Sequence, residues 1–461
     1  MIPARIKSII TRDVCELAAL FDAEGHTLYL VGGSVRDALV GRTSEDLDFT
    51  TDARPDDIER IGGEWAHSSY LAGKAFGTIG LVKDQAIYEI TTFRSEMYRD
   101  DSRKPVVVFS DDIVEDLSRR DFTVNTMAIR VPTAEGDAPE MIDPFGGLTD
   151  LSARYLRTPM DPEVSFGDDP LRMLRLFRFV SMLGFTPDAK AVDAVARMRS
   201  RLEIVSAERI RSEFDKLMIG DNVADALRLL VESGLAEQFI PEIPALAVEQ
   251  DPVHRHKDVL AHTIAVVAKT SPRLRLRLAA LFHDIGKPAT REFRDGGVSF
   301  YHHEVVGARM TRRRMQDLRY PKDVIKETSQ LVFLHMRPHT YKMGWTDSAV
   351  RRYVRDAGHL LKDLNELVRC DVTTRNKHRA RKISNRIDSL EKRIGELAQQ
   401  EELDRLRPPI DGNDVMRHLN IGPSRQVGKI MHMLLEHRIE AGPYTEEEAY
   451  VLLDRWRREN P

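Results

Sequence analysis

LYLVGGSVRDALVGRTSEDLDFT, residues 28–50, is the stretch on which the reading of the fold turns. Leu28–Val31 is an apolar run that reads as a buried strand. Gly32-Gly33 turns the chain. Ser34 is placed to cap a helix, and Asp37, three positions on, would close a capping box. A second short strand then carries Glu45-Asp46-Leu47-Asp48-Phe49. Side chains at i and i+2 of a strand leave one face, with Cα atoms roughly 7 Å apart. Asp46 and Asp48 therefore converge while Leu47 and Phe49 turn to the core. At about 4 Å and an effective dielectric of about 20, two such acids repel by on the order of 4 kcal/mol. A divalent cation reverses that sign, and oxygen-only ligation suits magnesium held by carboxylates and substrate phosphates. The bland alternative is a solvated Asp pair at a strand end. The Gly-Gly turn and Arg36 weigh against it, because a helix N-terminus beside an arginine is an anion site.

GGSVRD followed by DLDFT resembles the first motif of the template-independent nucleotidyltransferases that build or repair tRNA 3′ ends. Bacterial-type (class II) CCA-adding enzymes and bacterial poly(A) polymerases share it. The resemblance implies a multidomain chain: an α/β, polymerase-β-like nucleotidyltransferase head, then an all-α neck, an HD-type body and a tail. It further implies Mg2+ on Asp46 and Asp48, phosphates on Gly33 and Arg36, and CTP and ATP as substrates with tRNA.

Composition agrees with such a chain. At 461 residues it should hold two to four domains. We place them at 1–150 (head), 151–240 (neck), 241–400 (HD body) and 401–461 (tail). A net charge of −4 requires nucleic acid to be held by local basic patches rather than by a global field. Cys15 and Cys370 are the two cysteines, which excludes a disulfide framework and fits a reducing cytosol. Neither a secretory leader nor an apolar run of membrane-spanning length is evident, so a cytoplasmic location is expected.

In the head, residues 1–27 read as a leading helix from Ile6, Ile9, Ile10, Val14, Leu17, Leu20 and Phe21. Gly77–Val82 and Ala86–Phe93 read as a hairpin turning at Lys83-Asp84-Gln85. Glu89 offers a third carboxylate on that sheet, although a solvated strand-edge position is expected for it. RSEMYRDDSRKP, residues 94–105, has the composition of a mobile surface loop. In the resembled family a loop here reshapes the pocket between C and A, and Arg94, Glu96, Tyr98, Asp101, Arg103 and Pro105 match it without shortening. Arg119-Arg120-Asp121-Phe122-Thr123-Val124-Asn125 resembles the second family motif. It places arginines on a triphosphate and Asp121 or Asn125 on a ribose hydroxyl. A surface cluster capping a helix is the alternative. Thr126 stands where the family usually has alanine. Ile142–Gly147 resembles the exit from the head.

Asp168-Asp169-Pro170 opens an amphipathic helix, with Pro170 suited to its first position. Arg172, Arg175 and Arg178 occupy one face, while Leu171, Leu174, Phe177 and Phe179 cover the other. Solvated arginines are the alternative reading. Cytosine and adenine both present an amino donor beside a ring-nitrogen acceptor, whereas uracil and guanine present the reverse. A carboxylate with a guanidinium therefore suits C and A, at roughly 1–3 kcal/mol per misplaced group. The resemblance assigns that reading to Asp169 and Arg172, with Arg175 and Arg178 on the triphosphate or base plane. Arg120 and Asp121 would complete the nucleotide set. Ser206 and Arg209 at the next helix start would brace the arginine helix.

Further on, His262, His283-Asp284 and Asp371 follow the pattern of the HD phosphohydrolases, and His303 and His335 fall where two-metal members place extra ligands. Imidazoles with carboxylates suit nickel, manganese or cobalt. Two such metals would activate water against a phosphate. Arg312–Arg314 and Arg375–Lys382 are candidate contacts for an RNA stem or plain solvated faces. Ile387–Asp404 reads as a linker helix and Ile421–Gly428 as the turn of a helix–turn–helix that, in the family, holds the tRNA acceptor–T arm. The expected activity is addition of C, C and A to tRNA. An A-only adding enzyme or poly(A) polymerase is the alternative within the class, and a metal phosphohydrolase with an RNA-gripping head is the alternative outside it. The sequence leaves the oligomeric state open.

Overall fold

In the computed structural model, β1 (Leu28–Val31) buries Leu28, Leu30 and Val31 and runs beside β2 (Asp46–Thr51), with Leu30 opposite Phe49. The structure describes residues 4–42, 46–97, 106–134, 137–248, 258–294, 297–341, 345–372, 377–401 and 406–460. The chain continues through β3 (Ser68–Tyr70), β4 (Thr78–Lys83), β5 (Ala86–Thr92), β6 (Arg94–Met97), β7 (Val106–Phe109), β8 (Ala128–Arg130) and β9 (Glu140–Ile142). Seven of these strands form one sheet in the order β3-β4-β5-β2-β1-β8-β9, with β2 and β5 parallel. Strands β6 and β7 form a separate ribbon, and most of the 94–105 loop lies outside the described residues.

Three local expectations change. The leading helix is two pieces, Ala4–Lys7 and Arg12–Ala23, because Thr11 caps the second through Val14 N. The β4–β5 turn has two residues rather than three. Lys83 pairs with Ala86, and Asp84 and Gln85 take φ of 48° and 70°, the left-handed pair whose twist matches the flanking strands. Ser34 does not cap its helix (Gly33–Val40); its hydroxyl accepts from Asp48 N at 3.0 Å, and Gly32 is the capping residue. The cross-strand donor won because β2 starts where that hydroxyl points.

The described residues cluster into two compact units, Met1–Pro244 and Ala245–Pro461. In the first, helix Leu171–Leu183 lies against Ala207–Ile219 and Val223–Glu232. Phe122, Phe177, Phe179 and Phe214 are buried there. Gly184, at φ +69°, stops the arginine helix, and Asn222 covers the place a side chain would need. Among its described residues the second unit is helical apart from one hairpin, Arg291–Arg294 with Gly297–Phe300. Helix Lys377–Glu401 includes most of the expected linker. Helices Gly412–Leu419, Arg425–Ala441 and Glu446–Glu459 enclose a small core of Val415, Ile430, Leu434 and Leu453.

Candidate active site and metal centre

Gly32 is where the head's polar groups meet. Its φ of +69° and ψ of −132° are open to glycine and strained for other residues. A Cβ there would stand 3.2 Å from Arg120 Nη1 and 3.7 Å from Asp48 Oδ2. The turn thus carries a guanidinium and a carboxylate at the start of a helix, where backbone N–H groups already favour anions. Arg120 Nε is buried without a hydrogen-bond partner among the described residues, a donor left over for a ligand. Asp46 opens β2 opposite Ile87, and its side chain lies outside the described part.

Glu89 is not at a strand edge: β5 is interior to the sheet, because strand order is invisible in the local pattern. Across the sheet the register runs Asp48, Glu89, Gly80, Tyr70. Glu89 therefore stands next to Asp48, on the same face. Tyr70 lies over Gly80, where a Cβ would meet its ring at 1.9 Å, and its hydroxyl donates to Glu89 Oε1 at 2.7 Å. A second carboxylate thus stands beside Asp48 in register.

The RRD motif is organised by Asp116, which is fully buried. Its carboxylate receives Arg119 Nε at 3.1 Å, Arg120 Nη2 at 3.1 Å and Arg94 N at 3.3 Å. Burial would raise its pKa, but Arg119 and Arg120 hold it below the usual carboxylate range. Asp121 is also buried. It accepts from Phe122 N, from Asn125 Nδ2 at 2.8 Å and from Arg175 Nε at 2.8 Å. Burial opposes ionisation there too, and Arg175 and Asn125 override it, holding the carboxyl far below its ordinary value. Asn125 in turn accepts from Arg36 Nη1 at 2.7 Å.

Arg172 and Arg178 are buried, while Arg175 is about a third exposed. Arg178 pairs with buried Glu213 at 2.8 Å, and burial, with Arg175 nearby, pushes its pKa down to about 10. Arg36, Arg175 and Arg178 all lie over the ring of Phe179, at 5.1, 5.9 and 4.2 Å from its centre. Arg172 donates to Ser165 O and Oγ and to the Arg119 carbonyl, tying the arginine helix to the RRD motif. Asp169 accepts from Leu171 N and from Arg209 Nη2 at 3.0 Å, while Ser206 caps the helix that carries Arg209.

In the second unit, six candidate ligands converge. His262 Nε2 is 2.9 Å from Asp371 Oδ1, and His283 Nε2 is 3.1 Å from Asp284 Oδ2 and 3.3 Å from His262 Nε2. His303 Nε2 is 3.4 Å from Asp284 Oδ1 and 3.3 Å from His335 Nε2. Asp284 therefore reaches two ligand groups, one through each oxygen. The Nδ1 atoms of His283, His303 and His335 lie 2.6–2.9 Å from the carbonyls of Ala280, Phe300 and Val332 respectively, three residues upstream of each ring. Those carbonyls fix the tautomer that bares Nε2 to a metal. Burial lowers the His335 pKa to about 3, which suits a neutral ligand. Burial works against a charge on His283 as well, yet Asp284 and Asp371 pull it up to about 10. The two acids call for a cation, which a metal satisfies as a proton does. Lys287 Nζ also reaches Asp284, at 2.6 Å. The donor set fits one or two transition-metal ions.

The sequence reading left Asp116, Glu213 and Tyr70 without a role and gave Phe179 only a place on the apolar face of its helix. Asp116 carried a signal, its i+3 and i+4 arginines. The contacts of Glu213 with Arg178, of Tyr70 with Glu89 and of Phe179 with Arg36 span long sequence separations and had none.

Residues 28–157 match the poly A polymerase head domain family, 184–246 the probable RNA and SrmB-binding site of polymerase A, and 259–391 the HD domain. The A-adding tRNA nucleotidyltransferase of Deinococcus radiodurans is 32% identical over 94% of this chain and 96% of its own length. The CCA-adding enzyme of Bacillus subtilis is 42% identical over 47% of this chain. The match spans 52% of that relative, so the chain covers about half the length of the curated CCA-adding relatives it matches. The crystal structure of the Bacillus stearothermophilus CCA-adding enzyme in complex with CTP shares the fold, with a TM-score of 0.70 over 98% of this chain and 99% of its own at 23% identity.

Proposed function

We propose that this chain, which belongs to the family of bacterial-type CCA-adding tRNA nucleotidyltransferases and poly(A) polymerases with an HD domain, adds C, C and A to tRNA 3′ ends from CTP and ATP. The observation that carries the reading is the meeting of Asp48, Gly32 and Arg120 at a helix start, with Glu89 in register beside Asp48. Asp46, Asp48 and Glu89 would hold Mg2+, which when bound lowers the pKa of the attacking 3′-hydroxyl and stabilises the departing pyrophosphate. Gly33, Arg36 and Arg120 receive phosphates, and the buried, unpartnered Nε of Arg120 is a donor ready for one. Asp169 and Arg172 inspect the base. Arg209 sets the Asp169 carboxylate, and Ser165 sets the Arg172 guanidinium. Asp121, Arg175 and Arg178 form the wall between triphosphate and base. No helix among the described residues is long and apolar enough to cross a membrane.

The test is extension of tRNA ending before, within or after CCA, with CTP and ATP separately and together. Stepwise C, C, A supports the proposal; ATP addition alone at every substrate overturns it. That second outcome is the A-adding reading, which is favoured by one observation: a relative that matches nearly end to end is an A-adding tRNA nucleotidyltransferase. At the HD centre, His262, His283, Asp284, His303, His335 and Asp371 would hold nickel, manganese or cobalt. Bound there, such ions activate water against a phosphate ester. Hydrolysis lost in His283→Ala with tRNA extension kept would separate the two sites.

A further inference from the structure

A groove of about 590 Å³ lies between helices His303–Asp317 and Lys322–Leu334, on their side away from the HD ligands. Its two ends differ. Val305 and Phe333 are more than a third exposed at one end, and Arg337 lies over the Phe333 ring at 5.8 Å. At the other end Arg309, Arg312 and Lys326 converge from the two helices. Arg312 Nη2 reaches Ser329 Oγ at 3.3 Å, which fixes the helices' register there. Arg309 and Lys326 have no ion-pair partner among the described residues, and the one acid lining the groove, Asp356, is taken by Arg337 and Arg355. Seven helical residues separate Val305 from Arg312, about 10 Å. That is the distance from a nucleobase to its phosphates.

We infer that this groove is a second nucleotide site, with a base on Phe333 and Val305 and phosphate on Arg309, Arg312 and Lys326. An exposed aromatic ring takes any base by stacking, and unpaired cations take the phosphate. The volume lies within the usual range for small-ligand pockets. The nucleotide arrives either free or as an unpaired residue of an RNA strand. The inference rests on the nucleic-acid reading of the chain but not on the head site.

The test uses the full chain and fluorescein-labelled tetra-adenylate, which has no acceptor stem, with binding read by anisotropy. Arg312→Ala/Lys326→Ala should weaken binding at least tenfold and flatten its salt dependence. Phe333→Ala should weaken it about tenfold, while Phe333→Tyr restores it. tRNA extension at saturating tRNA should stay at the wild-type rate in all three, which shows that the variants fold. Competition by ATP at equal phosphate assigns the site to free nucleotides, and failure of ATP to compete assigns it to RNA. Unchanged tetra-adenylate binding in the double variant overturns the site. An effect of the cations without one of Phe333, or equal competition by oligoglutamate, overturns the nucleotide assignment.

Discussion

Asp116→Asn isolates the buried charge on which the RRD motif is built. The substitution keeps the side chain's shape and removes its negative charge. Arg119 and Arg120 are then left less than a fifth exposed, with their shared counter-charge gone. Breaking a buried pair from one side costs about 3–5 kcal/mol. In a unit of this size each kcal/mol moves Tm by about 2–4 °C, so the first unit should melt roughly 6–20 °C lower. Arg120 also loses its anchor beside Gly32. One charge-assisted contact to phosphate is worth about 1.5–3 kcal/mol, so KM for CTP should rise about 10- to 150-fold. The acid dependence has a definite sign. Asp116 has its folded pKa depressed, so its contribution is complete above the unfolded carboxylate value of about 3.9 and disappears as pH falls through the folded value. The gap between wild-type and variant melting should thus be widest near neutrality and should close in acid below about pH 4. Scanning calorimetry from pH 7 to pH 3, with initial rates against CTP, measures both. A variant that melts within about 1 °C of wild type at pH 7, or whose deficit persists unchanged at pH 3, refutes the reasoning.

Asp48→Ala should abolish nucleotide addition while leaving tRNA affinity, measured by filter binding, within about twofold. Tyr70→Phe removes one hydrogen bond to Glu89, so kcat should fall about tenfold with a raised Mg2+ requirement and little change in KM for CTP. Gly80→Ala should do the same by evicting the Tyr70 ring, and a normal Mg2+ titration in both would exclude Glu89 from the cation site. Arg209→Ala frees Asp169 and should raise UTP and GTP incorporation relative to CTP by roughly tenfold in single-nucleotide assays. His283→Ala should empty the HD centre, as measured by the metal content of purified protein, with tRNA extension unaltered.

What the sequence made legible was whatever repeats locally. The apolar run of β1, the Gly-Gly turn and the acids of β2 sit within about twenty residues, and period and turn chemistry suffice for them. The arginine helix was legible as a face but not as a set of bonds. Arg175 takes Asp121, Arg178 takes Glu213, and Asp169 takes Arg209, each partner more than thirty residues away. Periodicity says which side a guanidinium leaves from, not which acid awaits it. Glu89 was misplaced for the same reason, since only strand order tells an edge from a centre. Ser34 went wrong through competition: a hydroxyl beside a helix start has two donors within reach, and the one from β2 is supplied by a later segment. The HD ligands, by contrast, lie at helix ends in a recognisable pattern, yet the carbonyls that orient their rings could not be read without coordinates.

Phe179 gives the first unit an unusual mechanical property. A carboxylate grips a guanidinium through bonds that demand angle as well as distance, so Arg175 cannot slide on Asp121 without letting go. An aromatic face imposes no such alignment, and three guanidinia from two helices rest on the one ring. It acts as a bearing. Of the three, only Arg36 comes from another helix, and its contact with the ring tolerates a small rotation of the arginine helix that the angle-demanding pair of Arg175 with Asp121 does not.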